Sequence, residues 1–284
     1  MSDRISLRGR TESRRAVRGN LMRTLIAIPV YNEEEHLERV LAEMVRYSPE
    51  ILAIDDGSTD RSAAILDAHP FVEVHHHDTN EGYGQSLMDA FAIASHRRFD
   101  WIVTLDADEQ HDPAAIGLFL QEAARDDVDV VSGSRYLPES LRRSPVPEER
   151  RAINVLVTEV LARVTPYRLT DAFCGFKAYR VAALARLHLT EQGYAMPLQF
   201  WIQAARANLR VREVPITLEY VDPSRKFRGG LDDPLVRFRH YLAVLDRELA
   251  AANNAGAAAP ATSRLAAHLG GRVGGDPGPA EGGR

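Results

Sequence analysis

The chain has 284 residues, 45% hydrophobic and 26% charged, with 35 Lys and Arg against 40 Asp and Glu. That length and apolar content support a substantial core in one large or two small domains and exclude wholesale disorder. The single cysteine, Cys174, excludes an internal disulfide framework or a four-cysteine zinc site. No apolar run approaches the roughly 18–20 residues that span a bilayer, and no signal-peptide pattern follows Met1. A soluble or peripheral protein of a reducing compartment, the cytoplasm, is therefore expected.

The charge is spread unevenly. Residues 1–23 carry seven arginines against two acids, and residues 250–284 are dominated by Ala, Gly and Pro. Both ends are expected to be disordered. The body, residues 24–249, has 25 basic and 36 acidic residues, a net charge of −11.

Within the body, short apolar runs alternate with helical patterns. Thr24–Val30 reads as a strand before a helix from Glu33 to about Tyr47. Ile51–Ile54 ends in Asp55-Asp56-Gly57-Ser58, with a helix from about Asp60. Phe71–His75 leads to the loop Asn80–Gly84 and a helix to about Arg97. Asp100–Leu105 runs into Asp106-Ala107-Asp108, a helix opens near Pro113, and Val128–Val131 follows. Such alternation predicts an α/β fold with a mostly parallel sheet covered on both faces, whose ligands bind beyond the strands' carboxyl ends.

After Arg135 the rhythm changes. Pro138, Pro145 and Pro147 interrupt a polar loop before a long helix over Glu148–Val164. Then come Phe173–Tyr179, a helix around Pro197–Ala207, a strand over Val211–Tyr220 and an Arg/Gly/Asp-rich loop. A terminal helix from about Pro234 to Ala250 carries an apolar stripe, Leu235, Phe238, Leu242 and Leu245, expected to pack on the body.

Asp106-Ala107-Asp108 is the sharpest chemical signal. Two carboxylates one residue apart after a buried strand can approach one hard divalent ion, Mg²⁺ or Mn²⁺, with Gln110 or His111 completing the shell. The alternative is that Asp108 or Asp112 simply caps the next helix. In Asp55-Asp56-Gly57-Ser58, a carboxylate at a strand end can accept from a ribose or base, and Ser58 or Thr59 can cap the helix. Gly82-Tyr83-Gly84 lacks a third glycine at dinucleotide spacing, which argues against a dehydrogenase. His75-His76-His77 alternates between the two faces of a strand and reads as a surface or loop-entry run.

Together these segments resemble the family 2 glycosyltransferases of GT-A fold, above all the dolichyl- and polyprenyl-phosphate mannose (or glucose) synthases. The matching stretches are Ile28–Glu33, Ile54–Ser58, Asn80–Gly84, Leu105–His111, Gly133–Tyr136, Asp171–Lys177 and Glu213–Ile216, in order over residues 24–228. The resemblance implies that Pro29, Tyr31, Glu33, Ile54 and Asp56 hold the base and ribose of a nucleotide diphosphate sugar. Asp106, Ala107, Asp108 and Gln110 would hold metal and diphosphate, with Asp106, Asp108 and Gln110 as metal ligands. Arg135 would sit near the donor sugar or acceptor phosphate, Arg180 matches a further basic position, and Lys226 matches a basic position in the late loop. The implied reaction is metal-dependent, inverting hexose transfer from a GDP-mannose or UDP-glucose type donor, with Asp106, Asp108 and Arg135 carrying it.

Two departures shape the acceptor. Gly193–Gln203, where some relatives carry an acidic base, contains no carboxylate. A phosphate acceptor needs no base, which favours polyprenyl phosphate. Asp171 or Glu191 could still serve a hydroxyl acceptor, and a catalytically silent nucleotide-sugar binder is the third reading. The late loop reads Ser224-Arg225-Lys226-Phe227-Arg228, with the family's upstream arginine absent or displaced to Arg225. Access to a lipid would need peripheral attachment, which the arginine-rich start could supply at about 1 kcal/mol per basic residue. Nucleic-acid binding is not expected, since the body has no reading motif.

Overall fold

Seven strands pair into one sheet, whose central members are apolar along their whole length because helices cover both faces. The computed structural model describes residues 22–48, 50–141, 144, 147–219 and 231–254. The strands are β1 (Thr24–Val30), β2 (Ile51–Asp55), β3 (Val72–His76), β4 (Trp101–Thr104), β5 (Val130–Ser134), β6 (Lys177–Arg180) and β7 (Val211–Pro215). Their order is β3-β2-β1-β4-β6-β5-β7. β6 runs antiparallel to both β4 and β5, and every other pairing is parallel. The carboxyl ends of β1, β2, β4 and β5 therefore lie at one edge, and the end of β6 lies at the other.

The helices are α1 (Leu37–Met44), α2 (Ser62–Asp67), α3 (Tyr83–His96), α4 (Ile116–Ala123), α5 (Glu148–Val164), α6 (Val181–Leu184), α7 (Met196–Arg206) and α8 (Pro234–Asn254). One core lies under α1, α2 and α4, with Leu37, Val40, Leu41 and Met44 as the buried stripe of α1. The other lies under α3, α5, α7 and α8. There Gln199 and Gln203 of α7 donate to the buried Glu248 of α8 at 2.6 and 3.1 Å.

The main shifts from the expected elements have local causes. The first helix starts at Leu37 because Glu33–His36 is a tight turn, its Glu33 carbonyl accepting from His36 and Leu37 N–H. Asp60, in place of Ser58 or Thr59, accepts from the Ser62 N–H at the start of α2. β6 is shorter than Phe173–Tyr179, since the 171–176 segment forms a loop around Asp171. On α8, Leu235 of the expected stripe is 68% exposed, and Tyr241, Val244 and Leu245 make the buried contacts. The helix also runs past the expected boundary to Asn254. Arg23 is docked, its N–H on Asp100 at 2.8 Å and its guanidinium 4.4 Å from the Phe99 ring centre. No helix among the described residues is long and apolar enough to cross a membrane.

Phe119 of α4 stacks on Phe176 with ring centres 4.2 Å apart, directly beside the loop that carries Gly175. Phe119→Ala should lower unfolding free energy by about 3–5 kcal/mol, measured by chemical denaturation.

Candidate active site

The turns that leave β1, β2, β4 and β5 converge on one cavity of about 900 Å³. Pro29, Tyr31, Glu33, Asp56, Asp106, Ala107, Asp108, Gln110 and Arg135 all line it. The far wall comes from α5 and α8, through residues that include Arg150, Asn154, Arg237 and Tyr241.

The first two turns brace each other. Asn32 takes a left-handed backbone, φ 56°, which asparagine tolerates better than most residues. Its side-chain oxygen accepts from the Thr59 and Asp60 N–H groups at 2.7 and 3.3 Å. Asp56 is more committed than a ribose acceptor would be. Its Oδ1 accepts from Glu81 N–H at 2.7 Å and faces His77 Nδ1 at 2.8 Å, while Oδ2 accepts from Asn80 Nδ2 and Gly82 N–H at 2.9 and 3.0 Å. Its carboxylate thus organises the Asn80–Gly82 wall. His77, at the entry to the loop, is accordingly buried, whereas His75 and His76 are exposed, as expected of a surface or loop-entry run.

The Asp106–Gln110 turn is held from two sides. Glu109 adopts φ 55°, pinned by Arg39 at 2.6 and 2.7 Å and by His36 at 2.9 Å. Its carboxyl pKa is lowered, first by the Arg39 hydrogen bonds. Underneath, a Cβ on Gly175 would overlap the Asp106 carboxylate, so only glycine lets the two chains approach this closely. Tyr83 meets the same carboxylate: desolvation, then the Asp106 charge, pushes its hydroxyl pKa well above the usual tyrosine value. Asp108 accepts from the Gln110 N–H at 3.1 Å, and it is Asp112 that caps the following helical turn through the Ala114 N–H. His111 is buried with Nδ1 3.3 Å from the Thr217 carbonyl, and burial lowers its pKa.

Arg135 grips Asp171 with two parallel bonds, Nε to Oδ2 at 2.6 Å and Nη2 to Oδ1 at 2.8 Å. Asp171 has no solvent exposure. Burial alone would raise its pKa, but the Arg135 charge and hydrogen bonds outweigh it and hold the carboxyl low. With both oxygens held by Arg135 and no solvent exposure, Asp171 is poorly placed to take a proton from an acceptor. Glu191 is engaged too, with Arg247 at 2.6 Å and His240 at 3.7 Å.

Two expected positions fall elsewhere. The Ile54 side chain is fully buried in the core beneath α3 and does not reach the cavity. Arg180 stands at the opposite edge of the sheet, opposite Trp101 at the start of β4, because β6 runs backwards. It pairs with Asp126 at 2.5 Å and Asp129 at 3.3 Å, its guanidinium 4.9 Å from the Trp101 ring centre. Lys226, with the rest of the Arg225–Arg228 cluster, lies outside the described residues. Lys177, to which no local pattern points, is buried opposite Thr104 of β4, donates to the Cys174 carbonyl and has its pKa lowered by burial. The cavity wall on α5 and α8 is marked in the sequence by the i, i+4 spacing of Arg237 and Tyr241.

A family model for glycosyl transferase family 2 matches residues 25–187. The chain belongs to this family. It is 32% identical over 220 residues to the undecaprenyl-phosphate mannosyltransferase of Micrococcus luteus, covering 74% of this chain and 89% of that one. It is 30% identical over 205 residues to the polyprenol monophosphomannose synthase of Mycolicibacterium smegmatis, covering 69% and 77%. A solved structure of glucosyl-3-phosphoglycerate synthase from Mycobacterium tuberculosis, with Mn²⁺, uridine diphosphate and phosphoglyceric acid, matches at a TM-score of 0.64 and 17% identity, covering 80% of this chain and 78% of that one. That likeness establishes the GT-A fold. The family 2 domain is thus a glycosyltransferase, and the expected fold and enzyme class both hold.

Two outcomes test this geometry. Gly175→Ala should displace Asp106 and cut glycosyl transfer about a hundredfold, the scale at which small misplacements act, with far-UV circular dichroism unchanged. Cys174 is fully buried with its thiol pushed up to about 12 by burial. Native protein at pH 8 should therefore resist iodoacetamide, and denatured protein should be alkylated completely, read by intact mass.

Proposed function

We propose that this family 2 enzyme transfers a hexose, with inversion, from a nucleotide diphosphate sugar of the GDP-mannose or UDP-glucose type to polyprenyl phosphate. The observation that carries the reading is the pair Asp106 and Asp108 on the wall of one large cavity, between the β1/β2 turns and the α5/α8 wall. The relatives named for undecaprenyl-phosphate and polyprenol mannosyl transfer support the lipid acceptor.

The donor set fits a hard divalent ion. Asp106, Asp108 and the Gln110 side chain offer oxygen ligands, as Mg²⁺ and Mn²⁺ prefer. When bound, such an ion would offset the charge that builds on the departing diphosphate. The chain's own residues do the rest. The β1 and β2 turns, with Pro29, Tyr31, Glu33 and the Asp56-organised loop, bound the space for the nucleoside. Arg135, oriented by Asp171, presents its remaining N–H groups to a phosphate or to the sugar. Arg150 and Arg237 add positive charge on the opposite wall, where an anionic acceptor would enter.

In the reaction, an acceptor phosphate oxygen forms the new bond to C1. The bond from C1 to the diphosphate oxygen breaks, and the nucleoside diphosphate leaves with the electron pair. No proton has to be removed from the acceptor, which suits a site where Asp171 is clamped by Arg135 and Glu191 by Arg247. A peripheral membrane position follows from such an acceptor.

A radiolabelled donor incubated with polyprenyl phosphate and Mn²⁺ or Mg²⁺ should give an organic-soluble product. Label recovered solely in water-soluble glycans would overturn the acceptor. Asp108→Ala should lower kcat/KM about a hundredfold or more, as loss of a charge-stabilising group does. Unchanged turnover would remove the proposed metal role.

A further inference from the structure

β3 and α3 bring together a second set of ligand-type side chains that glycosyl transfer does not use. His75 and His77 are two residues apart at the end of β3 and project from the same face. Their rings stand at 85° with centres 5.5 Å apart. Asp89 of α3 lies over the same face, so that one ligand atom from each of the three residues falls within 4.8 Å of the others. Donors around a tetrahedral zinc at about 2.1 Å lie about 3.4 Å from one another. His77 Nε2 and Asp89 Oδ2 are already 3.1 Å apart, and the exposed His75 ring can turn to close the rest.

The second observation is the far side of the buried His77 ring. Its Nδ1 is 2.8 Å from Asp56 Oδ1, and Asp56 is itself fixed by two backbone N–H groups and Asn80. A carboxylate behind an imidazole selects the tautomer that donates from Nδ1 and turns the Nε2 lone pair outward, as in metal-ligating histidines. Here Nε2 faces Asp89 Oδ2 at 3.1 Å, a separation that a proton on Nε2 bridges in the metal-free protein and that a cation can bridge in its place. Asp89 also accepts from Gln85 Nε2 at 3.2 and 3.1 Å.

We propose that His75, His77 and Asp89 form a binding site for a borderline divalent cation of the zinc class, separate from Asp106 and Asp108. Two imidazoles and one carboxylate suit Zn²⁺, whereas the all-oxygen pair suits Mg²⁺ or Mn²⁺. The exposed side of His75 leaves a coordination position for water. Through Asp56, an ion here would stiffen the Asn80–Gly82 wall of the glycosyl-transfer cavity.

The test is equilibrium dialysis of the full chain, stripped with a chelator, against Zn²⁺ alone, with Co²⁺ absorption reporting nitrogen ligation. Wild type and Asp108→Ala should each retain this zinc. His75→Ala, a surface change, and Asp89→Asn should weaken it at least about tenfold. Zinc affinity unchanged in His75→Ala overturns the proposal. So does zinc lost only in Asp108→Ala, or no zinc bound at tens of micromolar.

Discussion

Asp171 has no solvent exposure, and its charge is sustained chiefly by the guanidinium of Arg135, with the Arg135 and Phe173 N–H groups donating to the same carboxylate. Removing one partner of such a buried pair typically costs about 3–5 kcal/mol, because the other is left uncompensated. The pair joins the end of β5 to the loop before β6. Glu213 of β7 joins it as well, accepting from the Thr170 and Asp171 N–H groups at 2.8 and 3.0 Å. With the loop held at both places, Gly175 passes directly under Asp106. The position of the candidate metal ligand thus depends on an ion pair that makes no metal contact.

The same pairing answers how an acidic body can handle phosphate. The −11 charge of residues 24–249 would repel an anionic donor if it were spread evenly. Basic side chains are instead set among the carboxylates at the cavity and just beneath it. Arg135 and Lys177 stand among Asp171 and Asp106, and Arg150 and Arg237 face them from α5 and α8. Lys177, between Cys174 and Trp201, is buried at a cost that these carboxylates partly offset.

The opposite flank is organised by side-chain oxygens acting on backbone. Asn32 locks the β1 turn to the β2 turn, and Asp56 locks the β2 turn to the loop before α3. The N–H groups of that loop would otherwise lack partners in a half-buried position. Both members of the Asp55-Asp56 pair are thereby engaged, each with its own partners. Asp55 accepts from the Ser58 N–H and meets His76, while Asp56 meets His77 and its loop.

Alternating apolar runs and helical patterns were enough to read the α/β class, most strands and the cluster of polar turns at the carboxyl ends. Asp106 and Asp108 were legible because their spacing and their place after a buried strand are local properties. Arg180 was not, because its location depends on β6 running against its neighbours, and strand direction is decided by long-range pairing. Ile54 follows the same logic, since the face a strand residue occupies is set by register. The sequence by itself determined the elements, the family and the ligand-type residues. Only the tertiary structure decided that Arg135 would spend two N–H groups on Asp171, that Gly175 would lie under Asp106, and that α5 and α8 would close the cavity. Those outcomes rest on contacts between residues far apart in the chain, whose geometry no local pattern encodes.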